Sequence, residues 1–451
     1  MEKVRSSFTG KIGFVLAAAG SAVGLGNLWR FPYLAARYGG GIFLLVYIIL
    51  AVTFGFALMM AEVAIGRKTG LSAIGAFRKL DRRFSFVGYL AALVPIIILP
   101  YYSVIGGWVA KYLAMFATGH MEQAADPDYF SYFIGQDVQP ILWFLLFMAL
   151  TALIVLFGVE KGIEKVSKIM MPLLVVLSLI IAVYVICQPG ALQGVVYYIK
   201  PDFSRFSVTT VVAAMGQLFY SMSLAMGIMI TYGSYMRKDV SLEKSVRQIE
   251  LFDTGIAFIA GLMIIPAVFV FSGGNPEALN KGPSLMFITL PQVFNSMTGG
   301  TVIGTVFFLL VLFAALTSSI SLMETIVSIL QDKLRWNRRA SCLAVFILCV
   351  VLGLLSCLGY SVWSAFEIIG LQMLDFFDFI SNSILMPIVA ILTCIFVGFI
   401  LKPQNLIREV EKNGPFKGKT LFVVMIKYIA PVFLVAILSF SVMEVLGFIT
   451  V

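Results

Sequence analysis

Apolar residues fill this chain in long blocks, and polar positions collect in the stretches between them. Eleven blocks can be marked, near residues 12–37, 42–66, 86–116, 140–158, 164–187, 207–236, 247–271, 300–331, 340–358, 368–400 and 420–447. Their edges are soft by about two to four residues. Each is long enough for a membrane-crossing helix, which needs about 17–25 residues.

Two blocks break their own pattern. Inside the first, Gly20 to Tyr33 reads G-S-A-V-G-L-G-N-L-W-R-F-P-Y. Glycine weakens a helix by about 1 kcal/mol and proline by about 3 kcal/mol. A charge at bilayer depth costs roughly 2.5 kcal/mol or more. Irregular backbone survives there only where it is buried in protein or lines a cavity. The first block therefore reads as a broken helix whose freed carbonyls and amides bind something polar. The sixth block repeats the feature, with Gly216, Gln217, Ser221, Ser223 and Gly227 set into its core. If blocks one to five and six to ten are repeats, the two interruptions correspond, and because five is odd the second repeat is inverted. Paired interruptions of this kind point to a binding site at the midplane; the alternative is two unrelated packing kinks. The expected fold is an all-α polytopic membrane protein with eleven transmembrane helices in a five-plus-five inverted repeat. Helices 1 and 6 are expected to be unwound at the midplane. One transmembrane domain would cover 1–451, with repeats near 10–190 and 205–400 and an extra helix near 420–447.

Composition agrees: 60% of the 451 residues are hydrophobic and 12% charged, which excludes a soluble globular protein. Met1 to Lys11 is short and basic, and the first block is too long for a cleaved apolar region, so no signal peptide is expected. The net charge of +9 would suggest nucleic acid in a soluble protein, but its distribution says otherwise. Of 32 Lys and Arg, all but Arg30, Arg37, Lys111, Lys200, Arg205 and Lys281 fall at the amino terminus or in alternate loops. By the positive-inside rule the amino terminus is cytoplasmic and, after eleven spans, the carboxy terminus is outside. The expected location is the cytoplasmic (inner) membrane of a bacterium. Cys187, Cys342, Cys349, Cys357 and Cys394 show no metal or redox spacing and read as packing residues. The single histidine, His120, lies in a polar outer loop, which leaves little support for histidine-based proton relay.

Four motifs carry a resemblance to a known family. They are Gly24-Leu25-Gly26-Asn27-Leu28-Trp29-Arg30-Phe31-Pro32-Tyr33, then Thr231-Tyr232-Gly233-Ser234-Tyr235-Met236-Arg237-Lys238, Phe287-Ile288-Thr289-Leu290-Pro291 and Leu316-Thr317-Ser318-Ser319-Ile320. In these, and in order along nearly the whole chain, it resembles the neurotransmitter:sodium symporter family, in its bacterial eleven-helix amino acid transporter branch. The bacterial leucine transporter of that family is itself a worked example of broken helices in inverted repeats. Most members have twelve spans; shorter bacterial members stop at eleven.

The resemblance implies two sodium sites. Sodium is a hard cation that binds several oxygens, as calcium and magnesium do. One site would use the carbonyls of Gly20, Val23 and Ala314 with the hydroxyls of Thr317 and Ser318. Those hydroxyls could instead bond back to their own helix. The other would use the Ala22 carbonyl with Asn27, Ser221 and Asp253, completed by a substrate carboxylate, so that each ligand supplies part of the other's site. Gly24 stands where amine-transporting relatives carry an aspartate; the glycine leaves room for a substrate that brings its own carboxylate, hence an amino acid. Chloride-dependent relatives hold an anion with counterparts of Tyr47, Gln217, Ser221 and a serine of the seventh helix. Here that serine is Ala257, and Asp253 stands where those relatives have asparagine, so no chloride is expected.

For the substrate, Tyr102 matches the family tyrosine that holds the carboxylate, with Tyr101 bracing the bundle. Backbone amides at Ala22 to Gly26 would add donors, and carbonyls near Phe219 to Ser223 would accept from the ammonium group. Ser21, Leu25, Ile98, Tyr220, Ser223, Met226, Ser319 and Leu322 would line a mostly apolar pocket, which suits a hydrophobic or aromatic amino acid, although such lining is normal for any pocket. Ala225 replaces a common glycine, and Tyr220 replaces the usual phenylalanine lid. Arg30 would pair with Asp375, or with Asp378 one turn away, as an outer gate; Asp375 is favoured. Arg5 would pair with Asp332 as an inner gate, flanked by Phe8 and Tyr235. Glu62 reads as a structural hydrogen-bond hub near the broken first helix.

Sodium-driven amino acid symport by alternating access is the leading reading, in a bilayer and with a monomer sufficient. A sodium-independent exchanger on the same fold and a non-transporting receptor or channel are the rivals. No catalytic triad, metal cluster or phosphate loop suggests an enzyme.

Overall fold

The computed structural model describes residues 7–273 and 283–445. Among them the chain is helical, with no strand beyond two isolated bridges. Nine helices are long and apolar enough to cross a membrane, from Gly41–Thr69 to Lys419–Met443. The pair Lys11–Ala22 and Gly26–Arg37 makes a tenth crossing if counted as one, bent by 54° at its break. The sixth sequence block does not qualify on its own: its helix Val208–Ser221 stops after 14 residues.

The apolar outer surface is that of a protein in lipid. On Gln139–Leu156, Leu142, Leu146, Leu150 and Leu153 form an exposed row at helical spacing. In water such a contiguous apolar face would be a liability; in a bilayer it is the solvated surface. The helices also sort by depth. The most hydrophobic stretch of Gly300–Leu334 is 78% buried inside the protein, against 33% for Gln139–Leu156. Gly300–Leu334 is thus a central helix, and it carries Thr317 and Ser318.

The core admits very close backbone contacts. A Cβ at Gly66 would lie 1.9 Å from the Ile230 carbonyl oxygen, and one at Gly233 would lie 2.4 Å from that of Val63. Only glycine permits this approach between Phe56–Thr69 and Ile228–Tyr235. It docks the second half of the broken sixth block firmly on its neighbour. The loop ends are fastened too. Arg67, buried, binds Glu409 at 3.1 Å and the Val240 carbonyl at 2.8 Å, and tethers the short helix Pro403–Val410 to the bundle.

Candidate functional site

Two interruptions meet at the centre of the bundle. The first helix leaves helical geometry at Val23, whose backbone is extended, and resumes as a widened turn at Gly26–Arg30. The second break spans Met222 to Gly227 and passes through Ser223 (φ 53°), Ala225 (φ 60°) and Gly227 (φ 73°). Left-handed backbone costs a non-glycine residue about 1–2 kcal/mol. Specific bonds hold it. Glu62 Oε1 accepts from the Ala225 amide at 2.6 Å, and the Ser223 hydroxyl donates to the Ser21 carbonyl at 2.9 Å. The bond that Glu62 makes is thus to the second break. Its other oxygen is buried without a hydrogen-bond partner among the described residues.

Asp253 lies beside both breaks and is fully buried. The Asn27 side-chain amide donates to its Oδ1 at 2.8 Å and to the Ser221 hydroxyl at 2.9 Å. Ser221 donates to Asp253 at 2.7 Å, and the Tyr47 hydroxyl donates to its Oδ2 at 3.3 Å. Rotating the Asn27 amide by half a turn would exchange its nitrogen for its oxygen at this point. The cluster then offers a carboxylate, an amide oxygen and a hydroxyl to a hard cation. Gln217 donates to the Gly26 carbonyl at 2.9 Å, and Ala257, one turn beyond Asp253, presents only a buried methyl.

A second oxygen cluster lies where the first break faces Gly300–Leu334. The Ser318 hydroxyl is 3.5 Å from the Gly20 carbonyl, 3.2 Å from that of Ser21 and 3.4 Å from that of Val23. Thr317 Oγ1 bonds back to Phe313 at 3.0 Å and Ala314 at 3.1 Å. Gly20 is packed against Thr317, since a Cβ at Gly20 would be 3.1 Å from the Thr317 Cβ. All five expected residues are therefore neighbours, with Ser318 bridging the helices and Thr317 turned to its own carbonyls.

Between the clusters is a narrow cavity of about 40 Å³ lined by Ser21, Ala22, Leu25, Gly26, Ile98, Tyr102, Tyr220, Ser221, Ser223, Met226 and Leu322, with Gly24, Asn27, Ile228 and Ser318. The Tyr102 hydroxyl accepts from the Leu25 amide at 3.5 Å. A Cβ at Gly24 would come within 2.7 Å of Ser318 Oγ and 3.2 Å of the Tyr102 hydroxyl. Any side chain at position 24 would thus fill the space beside both hydroxyls.

One expected lining residue lies elsewhere. Ser319 shares its hydroxyl with Thr151 at 2.8 Å and donates to Leu316 at 2.9 Å, so it faces the Gln139–Leu156 helix. The reason is rotation: each helical residue turns by about 100°, and Ser318 already holds the cavity face. Phe219, expected to offer its backbone carbonyl, has its side chain buried outside this lining. Ile228 was not expected there; an apolar residue just after a break carries no sequence signal.

Above the cavity opens a vestibule of about 770 Å³, which shares Leu25, Tyr102 and Tyr220 with it. Tyr220 therefore separates the two spaces. The Arg30 guanidinium lies 5.3 Å from the Tyr220 ring centre. Among the described residues Arg30 makes no ion pair. Arg30, Asp375 and Asp378 all line the vestibule. Asp378 is held by Tyr101 at 3.1 Å and Asn382 at 2.6 Å, while Asp375, one turn away, is exposed on the vestibule wall.

The opposite end, which carries the basic loops, is sealed. Phe8 is 1% exposed and meets the rings of Phe14, Tyr232 and Tyr235 edge-on. Its amide donates to the Tyr235 carbonyl at 3.1 Å. Arg5 lies outside the described residues. Asp332 accepts from the Ser72 amide at 2.8 Å. Tyr235 donates to Glu324 at 2.7 Å, and Glu324 is paired with Arg338. Sequence reasoning passed over Glu324 and Arg338. A lone glutamate inside the apolar run 300–331 was the available signal.

The model of the sodium:neurotransmitter symporter family matches residues 5–124 and 134–448. An uncharacterized sodium-dependent transporter of Bacillus subtilis, YhdH, is 36% identical over 442 residues, covering 95% of each chain. An uncharacterized sodium-dependent transporter of Haemophilus influenzae is 33% identical, over 89% of this chain and 91% of its own. The crystal structure of MhsT in complex with L-phenylalanine superposes with a TM-score of 0.87 at 36% identity, over 97% of this chain and all of MhsT.

Proposed function

Because the chain belongs to the sodium:neurotransmitter symporter family, we propose that it carries a zwitterionic amino acid, hydrophobic or aromatic, into a bacterial cell together with sodium. The observation that carries this reading is the cavity between two oxygen clusters, one around Asp253 and one around Ser318. The crossings are counted as eleven when Val208–Ser221 and Ile228–Tyr235 form one interrupted span. The spans form two inverted five-helix repeats, with the basic loops in the cytoplasm. The state described here is then open to the outside and closed to the inside. Alternating access opens the Phe8 seal, together with the Arg5–Asp332 pair, and closes Arg30 and Tyr220 over the substrate.

Each binding residue has a task. One sodium binds Asp253, Asn27, Ser221 and the Ala22 carbonyl, and the substrate carboxylate completes its shell. The other binds the carbonyls of Gly20, Val23 and Ala314 with Thr317 and Ser318. Tyr102 and the amide of Leu25 hold the carboxylate; Ser223 and the carbonyls of the second break receive the ammonium group. Leu25, Ile98, Met226, Ile228 and Leu322 surround the side chain, which supports an apolar substrate. The MhsT complex with L-phenylalanine supports the same class.

Tyr102→Phe tests the substrate assignment. A hydrogen bond to a charged group is worth about 1.5–3 kcal/mol, so affinity for the amino acid should fall about ten-fold to a hundred-fold. Binding of a radiolabelled amino acid panel to purified protein measures it. An unchanged dissociation constant in folded protein would remove Tyr102 from the site.

A further inference from the structure

Glu250 is a buried acid to which the transport cycle above gives no task. It lies on Leu242–Ser272, the helix that carries Asp253. It is 5% exposed, and its Oε2 is buried with no hydrogen-bond partner among the described residues. Thr254, also on this helix, has a buried hydroxyl in the same condition. Residues four apart on a helix share a face, with about 5–6 Å between their Cβ atoms. Two adjacent polar groups without partners are costly in a protein interior, and such groups ordinarily mark a bound water or ion.

The charges around Glu250 favour a cation. Asp253 and Arg247 stand three residues away on either side, one turn along the same helix. Arg247 is engaged elsewhere: it pairs with Glu243 at 3.5 Å, lies 4.2 Å from the centre of the Phe56 ring and is 45% exposed. Glu250 sits three residues from Asp253 toward the basic-loop end, a rise of about 4.5 Å. The inner half of the first span, Lys11–Ala22, packs on this same helix. Along this helix Glu250 is the first acid from Asp253 toward the basic-loop end.

We propose that Glu250 and Thr254 form a transient cation station through which sodium passes between the Asp253 cluster and the cytoplasm. The carboxylate supplies the one negative charge that a monovalent ion needs, and the hydroxyl supplies a second oxygen. The station rests on the symport reading and adds a step to it: sodium leaves Asp253 by transfer to a second acid instead of directly into water. Because the station belongs to the inward path, its loss should be felt from one side of the membrane only.

The test is sodium activation measured separately from each face of reconstituted protein. External sodium is varied during uptake, and internal sodium is varied during efflux of preloaded radiolabelled substrate. In Glu250→Gln the half-activating internal sodium concentration should rise about ten-fold, as expected for a lost charge-assisted contact, while the external value moves less than about two-fold. Thr254→Val should shift the internal value in the same direction, and Glu250→Asp should restore part of it. Thr254→Val also keeps the test decisive if Glu250→Gln fails to fold. An equal shift on both faces, or none on either, overturns the station. If the wild type shows no sodium activation from either face, it is the symport reading that fails.

Discussion

Replacing Thr317 and Ser318 together with alanine should abolish sodium-coupled accumulation. Ser318 Oγ stands within 3.5 Å of three carbonyls of the first break, those of Gly20, Ser21 and Val23. It is the side-chain oxygen that spans from the central helix to the broken one. Thr317 adds a second hydroxyl beside the Ala314 carbonyl, 3.1 Å away. With both removed, three carbonyls would remain around the ion. Each lost contact to a charged species costs about 1.5–3 kcal/mol, so sodium affinity at this site should fall by about two to four orders of magnitude. Thr317→Ser, which keeps the oxygen, should retain coupling. Uptake of labelled substrate into vesicles under a sodium gradient measures the effect. A double variant that concentrates substrate as well as the wild type would mean that this cluster is only helix back-bonding.

The second large effect concerns chloride. Wild-type transport should be indifferent to replacement of chloride by gluconate, because Asp253 supplies the negative charge internally. Two sodium ions in a water-poor core need compensation, and a fixed carboxylate provides it without an exchangeable anion. The donors that would otherwise face an anion are already turned to that carboxylate. Ser221 donates to it at 2.7 Å and Tyr47 at 3.3 Å. Ala257, one turn beyond, offers no hydrogen bond. The double variant Asp253→Asn/Ala257→Ser removes the charge and adds a donor. It should lose activity in gluconate and either remain inactive or recover only when chloride is restored. Wild-type uptake that stops in gluconate would contradict this account, as would a double variant that works equally well in both anions.

The two broken helices were legible because glycine, proline, asparagine and arginine have a definite cost inside an apolar block. Asn27, Ser221 and Asp253 are distant in sequence and were grouped only by the family resemblance; the structure joins their side chains by hydrogen bonds. Other features depend on rotation about a helix axis, which composition does not reveal. Ser318 and Ser319 look equivalent in the sequence, yet one faces the cavity and the other faces Thr151. Asp375 and Asp378 are one turn apart, yet one is exposed on the vestibule wall and the other is bound by Tyr101 and Asn382. The number of crossings was harder still. A break that shortens Val208–Ser221 to 14 residues removes the length signal on which counting relies. The pairing of Glu324 with Arg338 was hidden for a different reason: Arg338 reads as one more positive-inside charge until its partner is seen.

The central claim is that sodium drives amino acid transport through this site, and purified protein in liposomes tests it most directly. Labelled apolar and aromatic amino acids are supplied under an inward sodium gradient, under a reversed gradient, and in potassium alone. The account predicts uphill accumulation that follows the sodium gradient, reverses with it and disappears in potassium. Equal accumulation in potassium would contradict it.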